Sequence, residues 1–177
     1  MIKSFRGKMP KVAPSAYVSE MACLIGDVEI GENSCVWPGA VIRGDFGPIR
    51  IGNNVYIDDN CVIHGEVTIG DNVVIGHSAV VEARRVGNRV LIGNHATILF
   101  NSEIGDSCLI AAGALVPEGM KIPPHSFVAG MPAQVKELSA GQLSRMEFYL
   151  SFSREMKEAY SKEEGEGFTS SPGQSCP

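Results

Sequence analysis

His64 and His77, thirteen residues apart, stand among the carboxylates Asp45, Asp58, Asp59 and Glu82. Two imidazoles with one carboxylate make a donor set familiar in open catalytic zinc sites, where a fourth position is left for water. The alternative is that these are polar side chains along one edge of the fold. Which description applies depends on what brings them together. Arg43 belongs to the same account as a charge partner, and His95 as a further imidazole.

The elements that must position these residues follow from a period of six. An aliphatic residue falls on Ile51, Ile57, Ile63, Ile69, Ile75 and Val81. After one five-residue step the beat resumes at Val86, Ile92, Ile98, Ile104, Ile110, Val116, Ile122 and Val128. Six is neither a helical period nor strand alternation; it is the mark of a β-helix, one short strand and one turn per repeat. Three repeats close one triangular coil. With the beat inward, Cys61, Val67, Val73, Ala79, Ala96, Cys108 and Ala114, four places later, fill the rest of the interior. Glycine follows the beat at Gly52, Gly70, Gly76, Gly87, Gly93 and Gly105, where a tight corner benefits from having no Cβ. Coils stack about 4.8 Å apart, and burial is rung on rung. The expected fold is an all-β solenoid, a parallel β-helix of hexapeptide repeats followed by a C-terminal α-helix.

Counting assigns the polar residues to faces. Residues eighteen apart stack on adjacent rungs, so Glu82 lies directly above His64, with Arg43 in the rung below. On another face His77 lies above Asp59, with Asp58 beside them, and His95 is expected one rung higher. His64 and His77 therefore sit on different faces of one prism and do not easily meet within a chain. A threefold assembly would bring His77 of one subunit to His64 and Glu82 of another.

Residues 1–138 read as the β-helix, with a looser beat before Ile51 and an insertion over 43–50 expected to form a corner loop. Residues 139–162 read as an amphipathic helix on Leu138, Leu143, Met146, Leu150, Met156 and Tyr160, with Ser139 as N-cap. Residues 163–177 read as a flexible polar tail. The 177 residues suffice for one domain. A net charge of −5 and a pI near 5.4 argue against nucleic acid or an anionic membrane as partner. No run reaches the roughly 18 apolar residues of a membrane span, and the N-terminus lacks a signal peptide's apolar run, so a cytoplasmic protein is expected. The five cysteines lack CxxC spacing and read as buried free thiols.

The residues placed by counting carry a resemblance. Arg43-Gly44-Asp45, the Ile57-Asp58-Asp59 segment running to His64, and Ile75-Gly76-His77-Ser78-Ala79 resemble the motifs of the γ-class carbonic anhydrases and their bacterial relatives, over about residues 10–138. The resemblance implies a left-handed coil and a homotrimer in which three histidines from two subunits hold zinc, iron or cobalt. His64 and His77 match two of those ligands, and Glu82 matches the third, where the family has histidine. His95 is a possible compensating ligand. Asp58 replaces a glutamine, Asp59 matches an aspartate of the family, and Phe46 follows the RGD where the founding enzymes carry a proton-transferring glutamate. The implied reaction is hydration of carbon dioxide to bicarbonate, weakened by Glu82. Asp58 would orient the attacking water, with Arg43 and Asp59 beside it at the catalytic site, and Arg43, Asp45 and Asp59 would tie subunits together. His125 receives no role, and Tyr149 either packs or overhangs the site. Two other functions share this prism: an acyltransferase using coenzyme A, and a non-catalytic trimeric scaffold.

Overall fold

The computed structural model describes residues 1–165. The chain winds as a left-handed parallel β-helix of three faces, closed by one helix, Ala140–Gly165. Beat pairs with beat up every face. Ile63, Val81, Ile98 and Val116 stack on the first, Ile51, Ile69, Val86, Ile104 and Ile122 on the second, and Ile57, Ile75, Ile92, Ile110 and Val128 on the third. All fourteen are buried, as are the seven small residues four places on.

Two local expectations change. Residues 43–50 form no loop: Val41–Ile51 is one strand of 11 residues that crosses from the first face to the second. Its first half pairs with Val62–His64 and its second with Val67–Ile69. The surplus shows in the register, where Gly44 and Ile49 face Gly26 and Val28, so residues 45–48 bulge at the corner and leave Phe46 70% exposed. The glycines that follow the beat are also not the residues that turn the chain. Left-handed φ of 53 to 59° falls two places later, at Asn54, Asn72, Ser78, Arg89, His95 and Ser107, and among side chains that of Asn tolerates that region best. The glycines serve stacking instead. A Cβ on Gly70 would meet Asn88 Oδ1 at 2.5 Å, and one on Gly87 would meet Asp106 Oδ1 at 2.3 Å. Those oxygens are engaged: Asn53, Asp71 and Asn88 each donate a backbone N–H to the side-chain oxygen of the rung above, at 2.7 to 2.8 Å.

The residue before each beat points outward, and the three faces differ there. The second face shows Glu29, Arg50, Thr68, Arg85, Glu103 and Lys121, with Arg50 and Lys121 paired to Glu29 and Glu103. The third shows Cys35, Tyr56, Val74, Leu91 and Leu109, and the helix covers them with Met146, which is fully buried. The first shows Val41, Val62, Val80, Thr97 and Leu115, half-buried or exposed, and no described element lies over them.

Ser139 and Gln142 close a reciprocal cap on the helix: Gln142 Oε1 accepts the Ser139 N–H at 2.9 Å, and Ser139 Oγ accepts the Gln142 N–H at 3.3 Å. Arg89 reaches Glu147 at 3.1 Å. The helix is less one-sided than expected. Leu143 and Leu150 pack against the third face, whereas Phe148 is exposed and stacks on Phe152, which is only partly covered. It also runs to Gly165, so residues 163–165 of the expected tail are helical, and residues 166–177 lie outside the described residues. No described helix is long and apolar enough to cross a membrane. Cys61 and Cys108 are buried free thiols and Cys23 is a half-buried one, whereas Cys176 lies outside the described residues; burial pushes Cys61 up to about 12, so it stays protonated.

Candidate metal centre

Both histidines stand at corners of the first face. His64 ends the strand Val62–His64, where the chain turns to the second face, and His77 follows Val74–Ile75, where it turns from the third. They lie at opposite edges of that face. Among the described residues no three His, Cys, Asp or Glu side chains converge on one point within the chain.

At the first corner the stack read from the sequence is present. Arg43 pairs in register with His64, and His64 Nδ1 lies 3.7 Å from Glu82 Oε1. The other ring nitrogen, Nε2, donates to Asp45 Oδ1 at 3.1 Å, because a carboxylate can only accept. Asp45 is held in turn by Arg43 Nη1 at 2.6 Å. Burial works against the Asp45 carboxylate, but Arg43 and then His64 outweigh it and hold the group below its usual range. Phe46 roofs the corner, its ring 6.4 Å from His64 and edge-on to Phe100 at 5.7 Å.

The second corner has the same logic in more open form. His77 Nδ1 donates to Asp59 Oδ2 at 2.9 Å, and Nε2 lies 3.8 Å from Asp58 Oδ2. The side chain is 53% exposed, against 22% for His64. Burial pushes the Asp58 carboxyl up to about 6, with His77 pulling it down and Asp59 pushing it further up. His95 does not stand squarely over His77. The single five-residue step shifts the count, so His95 takes the left-handed corner position that Ser78 holds one rung below, and its N–H donates to the His77 carbonyl at 2.9 Å. Its side chain is exposed. His125 occupies an equivalent exposed corner in the last rung.

The donor chemistry fits a transition metal. Each imidazole gives one N–H to a carboxylate, Asp45 or Asp59, which fixes the tautomer and leaves the other nitrogen as a lone-pair donor. Two ligands of a tetrahedral zinc ion stand roughly 3.3 Å apart, close to the separation of His64 Nδ1 and Glu82 Oε1. Counting stacked the ligand candidates, and the resemblance gave Asp45 and Asp59 catalytic or interface tasks; their position behind the imidazoles depends on which ring nitrogen faces inward, and spacing carries no signal of that. Tyr149, on the helix, lines a cavity that also reaches Asp58, Asp59 and His77.

Comparisons agree with this architecture. The bacterial transferase hexapeptide model (six repeats) matches residues 48–83. The chain is 41% identical over 152 residues to a carbonic anhydrase of Geobacillus kaustophilus, covering 83% of this chain and 84% of that protein. It is 37% identical over 137 residues to the mitochondrial γ-carbonic anhydrase 2 of Arabidopsis thaliana, covering 72% of this chain but only 49% of the plant protein, so it spans about half of that relative's length. The carnitine operon protein CaiE of Proteus is 33% identical over 143 residues, with 78% and 73% covered. A solved Bacillus cereus structure assigned as an acetyltransferase superposes with a TM-score of 0.84 at 35% identity, covering 91% of this chain and 96% of that one.

Proposed function

The chain belongs to the γ-carbonic-anhydrase-like family of hexapeptide-repeat proteins, and on that premise we propose that it is a cytoplasmic homotrimeric metalloprotein that hydrates carbon dioxide reversibly, with a weakened site. His64 and Glu82 of one subunit and His77 of the next hold the ion, zinc or else iron or cobalt. The observation that carries this reading is the matched pair of aspartates behind the imidazoles: Asp45 and Asp59 each take one ring N–H and leave the opposite nitrogen as a donor. The uncovered apolar face between the two corners supports the assembly, because two such edges come together only when neighbouring subunits pack across it.

The metal would supply a bound water of lowered pKa. Glu82 brings a negative charge where the family has a neutral imidazole, which makes that water less acidic and the enzyme slower. Asp58, beside His77 Nε2, would orient the attacking water. Arg43 fixes Asp45 and through it the His64 ring. Phe46 and Phe100 keep bulk water from the His64 corner. His95 stands ready as a substitute imidazole at the His77 corner.

Elemental analysis of anaerobically purified protein, together with a carbon dioxide hydration assay, tests the reading. The wild type should hold metal and turn over slowly, and Glu82→His should bind metal at least as tightly and turn over faster. Wild type and Glu82→His both free of metal would leave the trimeric scaffold instead. The similarity to the Bacillus cereus structure favours a second reading, acyl transfer from coenzyme A; consumption of acetyl-coenzyme A that survives metal chelation would favour it over the first.

A further inference from the structure

Between the C-terminal helix and the third face lies a cavity of about 790 Å³. Gly76, Gly93 and Ala111 follow the beat on three successive rungs, so that position adds almost no side-chain bulk and leaves room beneath the helix. The helix bridges the hollow rather than filling it. A volume in this range suits an organic ligand of many atoms, and carbon dioxide has three. The interior is apolar, with Leu91 and Leu109 as its floor and Tyr149, Phe152 and Met156 as its roof. Trp37 stands at its end, edge-on to Tyr160 at 4.8 Å.

The polar groups are unevenly divided. Asp58, Asp59, His77 and Asn94 border the prism side, whereas Gln142, Arg145 and Ser153 line it from the helix, the first two of them one turn apart. The Gln142 carbonyl oxygen is already engaged by the Ser139 N–H and hydroxyl, which leaves its amide NH2 as donor. The helix end of the cavity is therefore a donor pair with a positive charge, set against an aromatic and aliphatic hollow.

We propose that this cavity binds an aromatic carboxylic acid, the ring under the helix among Trp37, Leu91, Leu109 and Tyr149 and the carboxylate on Arg145 and Gln142. The binding goes beyond the hydration reaction and does not require the metal. Arg145 pairs with a carboxylate through its planar fork, and Asp58 and Asp59 keep the charged end of the ligand away from the prism side. An uncharged analogue loses the Arg145 contact and keeps only the apolar burial.

Trp37 is the chain's one tryptophan, so its emission reports the cavity directly. Full-length protein is titrated with 3-phenylpropanoate and with 3-phenylpropanol, by fluorescence and by calorimetry. A saturable change with the acid is expected, and the alcohol should bind about tenfold more weakly. Arg145→Gln should erase that preference, and Leu109→Phe, which fills the floor, should weaken both ligands at least about tenfold. His64→Ala, whose side chain lies outside the cavity, should bind the acid as the wild type does even with its metal lost, which separates this result from the fate of the metal site. Equal affinity for acid and alcohol, unchanged binding in Leu109→Phe, or neither heat nor emission change at millimolar acid would overturn the proposal.

Discussion

The first and second faces of the prism share one backbone, one inward beat and one ladder geometry, yet they carry opposite surfaces. The second carries charge of both signs up its rungs, Glu29, Arg50, Arg85, Glu103 and Lys121, with Thr68 between the two arginines. The first carries Val41, Val62, Val80 and Leu115, and its two edges hold the two histidines. A six-residue repeat constrains only the inward residue and its companion four places on. The outward position is free to be selected for something else, and here it separates a solvated face from one suited to a neighbour.

Because the interior is shared, inward changes should not distinguish the faces. Ile63→Asp on the first and Ile69→Asp on the second, both buried, should each abolish soluble folded protein, since an unpaired buried charge costs more than about 4 kcal/mol. Expression and circular dichroism check this; if one face tolerated the change, the common interior would be wrong.

Outward changes should separate them sharply. Val62→Glu should turn the trimer into monomers in light scattering, because a charge would be desolvated at the proposed contact. Thr68→Glu, the matching position on the second face, should leave the assembly intact. Dissociation by both, or by neither, would remove the distinction between the faces.

A smaller effect concerns the His77 corner alone. The Asp58 carboxyl, pushed by burial up to about 6 in the folded chain, binds its proton more tightly when folded. The stability this gives is full below the unfolded value, is lost as pH rises to about 6 and is flat above. Asp58→Asn should remove that slope and gain roughly 2 kcal/mol near neutral pH, measured by urea unfolding of chelated protein. An unaltered pH profile would mean that Asp58 is better solvated than its burial indicates.

The smallest effect falls on the corner ladder. A turn residue such as Asp71 reads from sequence as a solvated position whose loss is silent, but its side chain accepts the Asn53 backbone N–H at 2.7 Å. Asp71→Ala should cost about 1 kcal/mol and Asp71→Asn less, as read from urea midpoints.

How much the sequence disclosed follows from the same division. The beat, the companions, the stacking of Glu82 on His64 and of His77 on Asp59, and the Ser139 cap are all consequences of counting. The corner ladder was not legible, because glycine after the beat has two explanations, torsion and stacking, that composition does not separate. The strand through residues 43–50 looked like a loop because extra residues break a period without revealing whether pairing continues on both sides of them. The uncovered face was in principle readable, since the residue before each beat could have been tabulated face by face. The cavity was not, because it depends on how far the helix stands off the prism.

The central claim is that one ion is held by His64 and Glu82 of one subunit and by His77 of the next. It is tested most directly by mixing subunits. His64→Ala and His77→Ala, purified separately, should each hold no metal. Unfolded together in equal amounts and reassembled, each mixed ring regains the native pair at one interface of its three, and about a quarter of the rings are unmixed, so roughly a quarter of the wild-type metal and hydration activity should return. Metal retained by either variant alone, or none recovered by the mixture while reassembled wild type recovers its own, would contradict a site shared between subunits.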